Sequence, residues 1–307
     1  MLQARRSSST KLYESYIIKW QIYCRERDIN YIQPNIADAL EFLQSLFTDS
    51  SINRGYSAIN TARAALSTII VLPSGISFGS HPDVKTFMKG VYNLKPTKPR
   101  YVDIWNPDIV LKFLKTLGPA HKLDFPTLTK KTVMLILLVT GQRPQIIRAL
   151  KVQNMEISSS KFTFQIENKD LKHGRLNFMP ELLKLQAFAA DKRLCVYHYL
   201  YVYLERTQDI RQGEKRIFLT TVKPHKAASM DTISRWIKDI LNRSGINVDK
   251  FKPGSVRAAS TSKASSKGVN VDTILKKAGW TRQSTFARFY SRQIVTSDKY
   301  QDTILKI

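Results

Sequence analysis

Apolar side chains recur at three- and four-residue spacing along most of this chain, and that period commits it to a mainly helical fold. From Lys11 to Arg27, the residues Leu12, Tyr16, Trp20 and Tyr23 keep helical spacing, with Ser9 and Thr10 as candidate N-caps. Asn35 is placed to cap Ile36 to Phe47, where Ala39, Leu40, Leu43 and Leu46–Phe47 form one apolar face. Ser57 to Leu72 predicts a third helix, stopped by Pro73 and Gly75, and Pro82 to Tyr92 a short fourth. Four short helices joined by polar turns make a compact bundle. Lys95-Pro96-Thr97-Lys98-Pro99-Arg100 then interrupts the pattern with two prolines and three cations, an extended linker that is either phosphate-facing or an ordinary exposed connector.

Helical spacing returns from Pro107 to Leu117 and from Thr129 to Thr140, and again over Pro180–Ala190, Leu194–Arg206, Ser229–Ser244, Ser255–Lys267 and Asp272–Gly279. One stretch departs from it. Lys161 to Ile166 alternates as a strand, and Leu176 and Phe178 read as its partner across a turn at His173-Gly174. Tyr197, Tyr199, Tyr201 and Tyr203 alternate too, yet Leu200, Leu204 and the flanking charges suit a helix equally.

Charge narrows the partner. Lys and Arg number 49 against 24 Asp and Glu, a formal +25. Residues 1–100 hold 13 basic and 7 acidic side chains, so 25 − 6 leaves +19 on residues 101–307. An excess of this size points to a polyanion, nucleic acid first, gripped hardest by the second segment. The longest apolar run, Val133 to Val139, is far short of the roughly 20 residues of a membrane span, and no secretory signal opens the chain. Cys24 and Cys195 lie far apart without CxxC spacing, and the five histidines are scattered, so no metal site is expected. No cofactor is implied.

Cutting a phosphodiester with a side chain needs cations on its oxygens, a nucleophile in line and a proton donor for the leaving oxygen. Arginine suits the first task because its planar fork binds two oxygens and stays charged. Thr140-Gly141-Gln142-Arg143, with Leu150 seven residues beyond the arginine, ends one apolar helix and starts another pattern. Taken alone it is more commonly a surface arginine at a helix end. Farther on come Ser255-Val256-Arg257, then Ala278-Gly279-Trp280, then Ser284 to Tyr290.

In that order these elements resemble the signature of the tyrosine recombinase (phage-integrase-like) family. The family's first box is Thr-Gly-x-Arg, its second ends in His-x-x-Arg, and a Gly-His or Gly-Trp and a tyrosine follow. The resemblance implies an N-terminal core-binding (SAM-like) bundle over 1–94, a linker at 95–102, and over 103–307 a mainly helical catalytic domain with a small antiparallel sheet, the DNA breaking-rejoining enzyme fold. It implies that Arg143 and Arg257 clamp the scissile phosphate, that Trp280 donates its indole N–H, and that Tyr290 forms a 3′-phosphotyrosyl link without metal or ATP. The family's hairpin lysine maps to Lys169 or Lys172, with Lys172 preferred because it sits at the turn, and the other left as a solvated turn lysine. Lys95, Lys98, Arg100, Lys169 and Lys252 are further candidates for DNA contact.

One departure stands out: Gly254 occupies the position of the box-two histidine, which puts full activity in doubt and leaves Lys252 or a water as substitutes. Lys223-Pro224-His225, Thr232 to Lys238 and Arg257-Ala258-Ala259-Ser260 resemble recombinases of eukaryotic Crypton or DIRS-type mobile elements, which implies a nuclear protein. The family implies double-stranded DNA as partner, held in a C-shaped clamp, and a homo-tetramer on paired sites formed from monomers or weak dimers. The tail from Ser291 to Ile307 resembles the segment that docks on a neighbouring protomer. Two alternatives share these residues: a recombinase-derived DNA-binding protein without catalysis, and a type IB topoisomerase.

Overall fold

The computed structural model describes residues 7–170, 182–280 and 283–294. The chain divides into two compact units, Met1–Lys98 and Pro99–Ile307. Among the described residues no helix is long and apolar enough to cross a membrane.

The first unit contains α1 (Ser7–Glu26), α2 (Ile36–Thr48), α3 (Tyr56–Leu66) and α4 (Pro82–Leu94). Trp20, Leu43, Ile59, Ala62 and Leu66 are fully buried at its centre, joined by Phe42, Phe78 and Val84. The Asn35 carboxamide accepts from the Ala37 amide at 3.2 Å, as the cap reading requires. α3 is shorter than its apolar pattern predicts. The Ser67 and Thr68 hydroxyls donate back to the carbonyls of Arg63 and Ala65, and the Val71 amide donates to the Ile32 carbonyl, so Ile69 and Ile70 follow a turn instead of a continued helix.

The second unit runs β1 (Asp103–Ile104), α5 (Pro107–Thr116), α6 (Phe125–Thr140), α7 (Gln145–Ala149), β2 (Met155–Ile157), β3 (Lys161–Phe164), β4 (Leu183–Gln186), α8 (Val196–Thr207), α9 (Met230–Arg243), α10 (Ser255–Ser266), α11 (Val271–Ala278), α12 (Gln283–Phe289) and β5 (Gln293–Ile294). α6 is its axle, with residues 131–137 all buried and α8, α9 and α10 packed around it. It opens one turn earlier than Thr129, because Asp124 accepts from the Thr127 amide at 2.8 Å and Pro126 suits the first turn. The tyrosine-rich segment is helical: Tyr199 and Tyr203 are buried on α8, while Tyr201 faces solvent.

The sheet corrects the sequence reading. β3 lies between β2 and β4, both antiparallel, with Phe162 opposite Leu185 and Phe164 opposite Leu183. Both edges of Lys161–Phe164 are therefore taken, and the segment expected to be a helix over Pro180–Ala190 supplies one partner strand. Leu183 and Leu185 are buried while Lys184 and Gln186 are exposed, a period-two pattern that the neighbouring Leu182 disguises as a helical run. Leu176, Phe178 and the turn at His173-Gly174 lie outside the described residues. A second, two-stranded pairing joins β5 parallel to β1.

Lys131 is fully buried on α6, and its ammonium donates to the Tyr199 hydroxyl at 2.6 Å and to the Gly118 carbonyl at 3.3 Å. Burial pushes its pKa down to about 8. The unfolded chain keeps that proton to the ordinary lysine value of about 10.4, so it binds more protons between the two values and stability rises with pH across that window. Lys131→Met is expected to be more stable than the parent at pH 7 by about 1–2 kcal/mol. That advantage should shrink from pH 8 to pH 10, as urea denaturation at both ends of the range will show.

Candidate active site

Three helix ends and one helix start converge. α6 stops at Gly141, which has φ +60°. A Cβ there would lie 2.9 Å from the Thr261 methyl on α10, so glycine is needed for both the left-handed turn and the close approach. Gln142 and Arg143 follow directly, and the Gln142 carboxamide donates to the Lys277 carbonyl at 2.5 Å, fastening this loop to the end of α11. α11 closes on Gly279 with φ +70°, which delivers Trp280. α12 ends at Phe289, and the Tyr290 amide still donates to the Phe286 carbonyl at 2.8 Å.

Arg257, in the first turn of α10, is only 1% exposed. Its Nη1 donates to the Gly141 carbonyl at 3.0 Å and to the Ala278 carbonyl at 2.6 Å, bracing two of the converging ends. The guanidinium carbon sits 3.7 Å from the centre of the Trp280 ring and 5.3 Å from that of Tyr290, and the two rings are 4.6 Å apart. Burial first, and the charge of Arg143 second, push the Arg257 pKa down to about 9, while the nearby Tyr290 phenol favours the charged form. That phenol does not reach hydrogen-bonding geometry: Nε and Nη2 of Arg257, like Nε1 of Trp280, have no hydrogen-bond partner among the described residues.

Each such buried donor costs roughly 1–3 kcal/mol, and a cation's donors cost more. Three of them beside a second arginine would be satisfied by an anion with several acceptor oxygens, such as a phosphodiester. All three atoms are shielded from solvent, so contact with such an anion requires a local rearrangement that exposes them.

The structure thus brings Arg257, Trp280 and Tyr290 into contact. Arg143 is half-buried two residues beyond the carbonyl that Arg257 holds, and its side chain has no hydrogen bond or ion pair among the described residues. Lys172 lies outside the described residues, and so does the side chain of Lys169, whose backbone forms a short turn at Asn168–Asp170. Lys252 is turned to its own segment, with its ammonium on the Val248 carbonyl at 3.2 Å. In the first unit Lys95 donates to Asn53 at 3.0 Å and covers the Phe47 ring, and Lys98 is exposed. In the second, exposed Arg100 lies over Tyr101.

Gln142 and Ser262 escaped the sequence reading. Both act on backbone groups, which leave no trace in residue spacing. Among the described residues no cluster of three or more His, Cys, Asp or Glu could hold a metal ion.

The chain's fold is shared with solved recombinase structures. XerH site-specific recombinase bound to difH substrate matches with TM-score 0.54 and 14% identity over 88% of this chain and 70% of that one. A lambda integrase dimer bound to a COC' core site matches with TM-score 0.54 and 14% identity over 94% and 72%. The Tn1549 transposon integrase in complex with transposon right end DNA gives 0.53 and 14% over 89% and 85%. No curated protein matches the sequence. At these identities the structures speak for the fold alone. The sequence itself matches the phage integrase family over residues 112–294, more than half of the chain and the span that holds Arg143, Arg257, Trp280 and Tyr290; the chain belongs to that family.

Proposed function

We propose that this protein is a site-specific DNA recombinase that cuts and rejoins DNA through a covalent 3′-phosphotyrosyl link at Tyr290. The observation that carries the reading is the buried Arg257 guanidinium, with two nitrogens and the neighbouring Trp280 indole lacking acceptors, beside the Tyr290 ring. In this reading Arg143 and Arg257 neutralise the scissile phosphate and Trp280 donates to a non-bridging oxygen. The Tyr290 oxygen attacks phosphorus as its phenol proton passes to water, the P–O5′ bond breaks, and a second proton reaches the departing 5′-oxygen from Lys172 or, failing it, Lys169. The broken bond's energy stays in the phosphotyrosyl ester, so a 5′-hydroxyl from a partner strand can reverse the step without ATP. Double-stranded DNA is the partner, neutralising the +25 formal charge. Paired sites require four cuts, hence a tetramer on DNA. A mobile element of Crypton or DIRS type, acting in the nucleus, is the proposed setting.

The test uses a duplex recovered by the protein from a randomised pool and nicked at a series of positions, so that cleavage releases a short strand. A recombinase accumulates covalent adduct on it; relaxation of supercoiled plasmid lacking the site would indicate a topoisomerase instead.

Gly254 favours a second reading, a DNA-binding protein that shifts the duplex without linkage. A direct check exists. Gly254 has φ −65°, and a Cβ there meets nothing within 4 Å, so the backbone accepts a non-glycine residue without strain. Gly254→His is expected to leave stability unchanged and to raise adduct formation about tenfold or more. A binding protein would form no adduct in either version.

A further inference from the structure

We propose that Ser262 is a positioning residue for the Tyr290 nucleophile, fixing through one hydroxyl the backbone from which the phenol projects. The inference rests on the reading of Tyr290 given above. Ser262 is 3% exposed on α10, five residues after Arg257. Its hydroxyl donates to the Tyr290 carbonyl at 2.6 Å and accepts from the Arg292 amide at 3.0 Å. A carbonyl and an amide two residues apart are the pair that an adjacent strand residue would satisfy. The serine therefore continues, toward the tyrosine, the pairing that β5 makes with β1 immediately afterwards. Residues 290–294 are tied to α10 and β1 in succession, and the point at which the chain leaves α12 is set.

That point decides where the phenol lies. The helix that carries Arg257 also carries Ser262, so guanidinium and nucleophile are referenced to one rigid element. A serine has a single side-chain torsion and no slack to absorb movement. Removing the hydroxyl leaves a carbonyl and an amide without their partner, while the ring keeps its packing on Trp280. The expected consequence is a misplaced nucleophile, not a lost fold, and misplacement by about 1 Å lowers an in-line reaction about 100-fold.

The experiment compares the full chain with Ser262→Ala and Ser262→Thr on the nicked duplex. It reads DNA affinity, the single-turnover rate of adduct formation and backbone amide exchange. Ser262→Ala is expected to cleave about 10–100-fold more slowly with affinity within about twofold. Ser262→Thr, which keeps the hydroxyl, should recover the rate to within about threefold. Exchange in residues 288–294 should accelerate in Ser262→Ala and stay slow in Ser262→Thr. Cleavage by Ser262→Ala at the parental rate, or faster exchange spread evenly over residues 99–294, overturns the proposal. Absence of adduct with the parent chain would remove the nucleophile reading and this role with it. The exchange result stands apart, because a missing local acceleration refutes the tie whether or not the protein cleaves.

Discussion

Tyr290→Phe is expected to abolish covalent adduct, a fall of at least about 10⁴-fold, while DNA affinity stays within about twofold of the parent. The substitution is nearly pure chemistry. Phenylalanine keeps the ring that packs on Trp280 and faces the Arg257 guanidinium. It also keeps the amide that donates to Phe286 and the carbonyl that accepts from Ser262. Only the phenol oxygen goes, and no hydrogen bond of that oxygen supports the described structure. Denaturing electrophoresis of the nicked-duplex reaction gives the adduct yield, and a mobility shift gives the affinity. Adduct that persists in the variant would mean another nucleophile and would end the assignment of Tyr290.

Arg257→Lys is expected to lower single-turnover cleavage by about 10²–10³-fold although the charge is kept. In the parent, one guanidinium nitrogen already serves two structural carbonyls, Gly141 and Ala278, and the other two face no acceptor. An ammonium on a flexible stem has no such division of labour. If it holds the carbonyls it has no fork left for phosphate oxygens; if it turns to the phosphate, two loops lose their brace. Stability should fall as well, by about 2–4 kcal/mol, because buried polar groups are left without partners. Arg257→Met separates the two losses: it should destabilise comparably and show no cleavage above background. Urea midpoints and cleavage rates measured side by side decide the matter, and a lysine variant that cleaves at the parental rate would refute the guanidinium's role.

Much of the fold is legible in the sequence. Helices whose apolar residues keep a single period, such as Ile36–Thr48 and Met230–Arg243, lie within a residue or two of where the spacing puts them. Capping residues such as Asn35 were readable because a cap is a local contact between neighbours in sequence. Lys184 and its neighbours were misread because a short apolar run has no decisive period, and only pairing with Phe162 and Phe164 selects a strand. The early end of α3 was hidden for a related reason: the Val71 amide finds its partner at Ile32, far away in the chain.

For the candidate site, the sequence by itself supplied the proposed cast and its order: Arg143, Arg257, Trp280 and Tyr290, all within the span that matches the phage integrase family. The tertiary structure alone decided that a nitrogen of Arg257 would rest on the carbonyl of Gly141, 116 residues earlier, and that Ser262 and Gln142 would pin the segments bearing the tyrosine and the first arginine. Backbone carbonyls and amides are the same at every position, so a side chain that binds them leaves no pattern in the sequence. Which one it meets is fixed only when α6, α10 and α11 pack together.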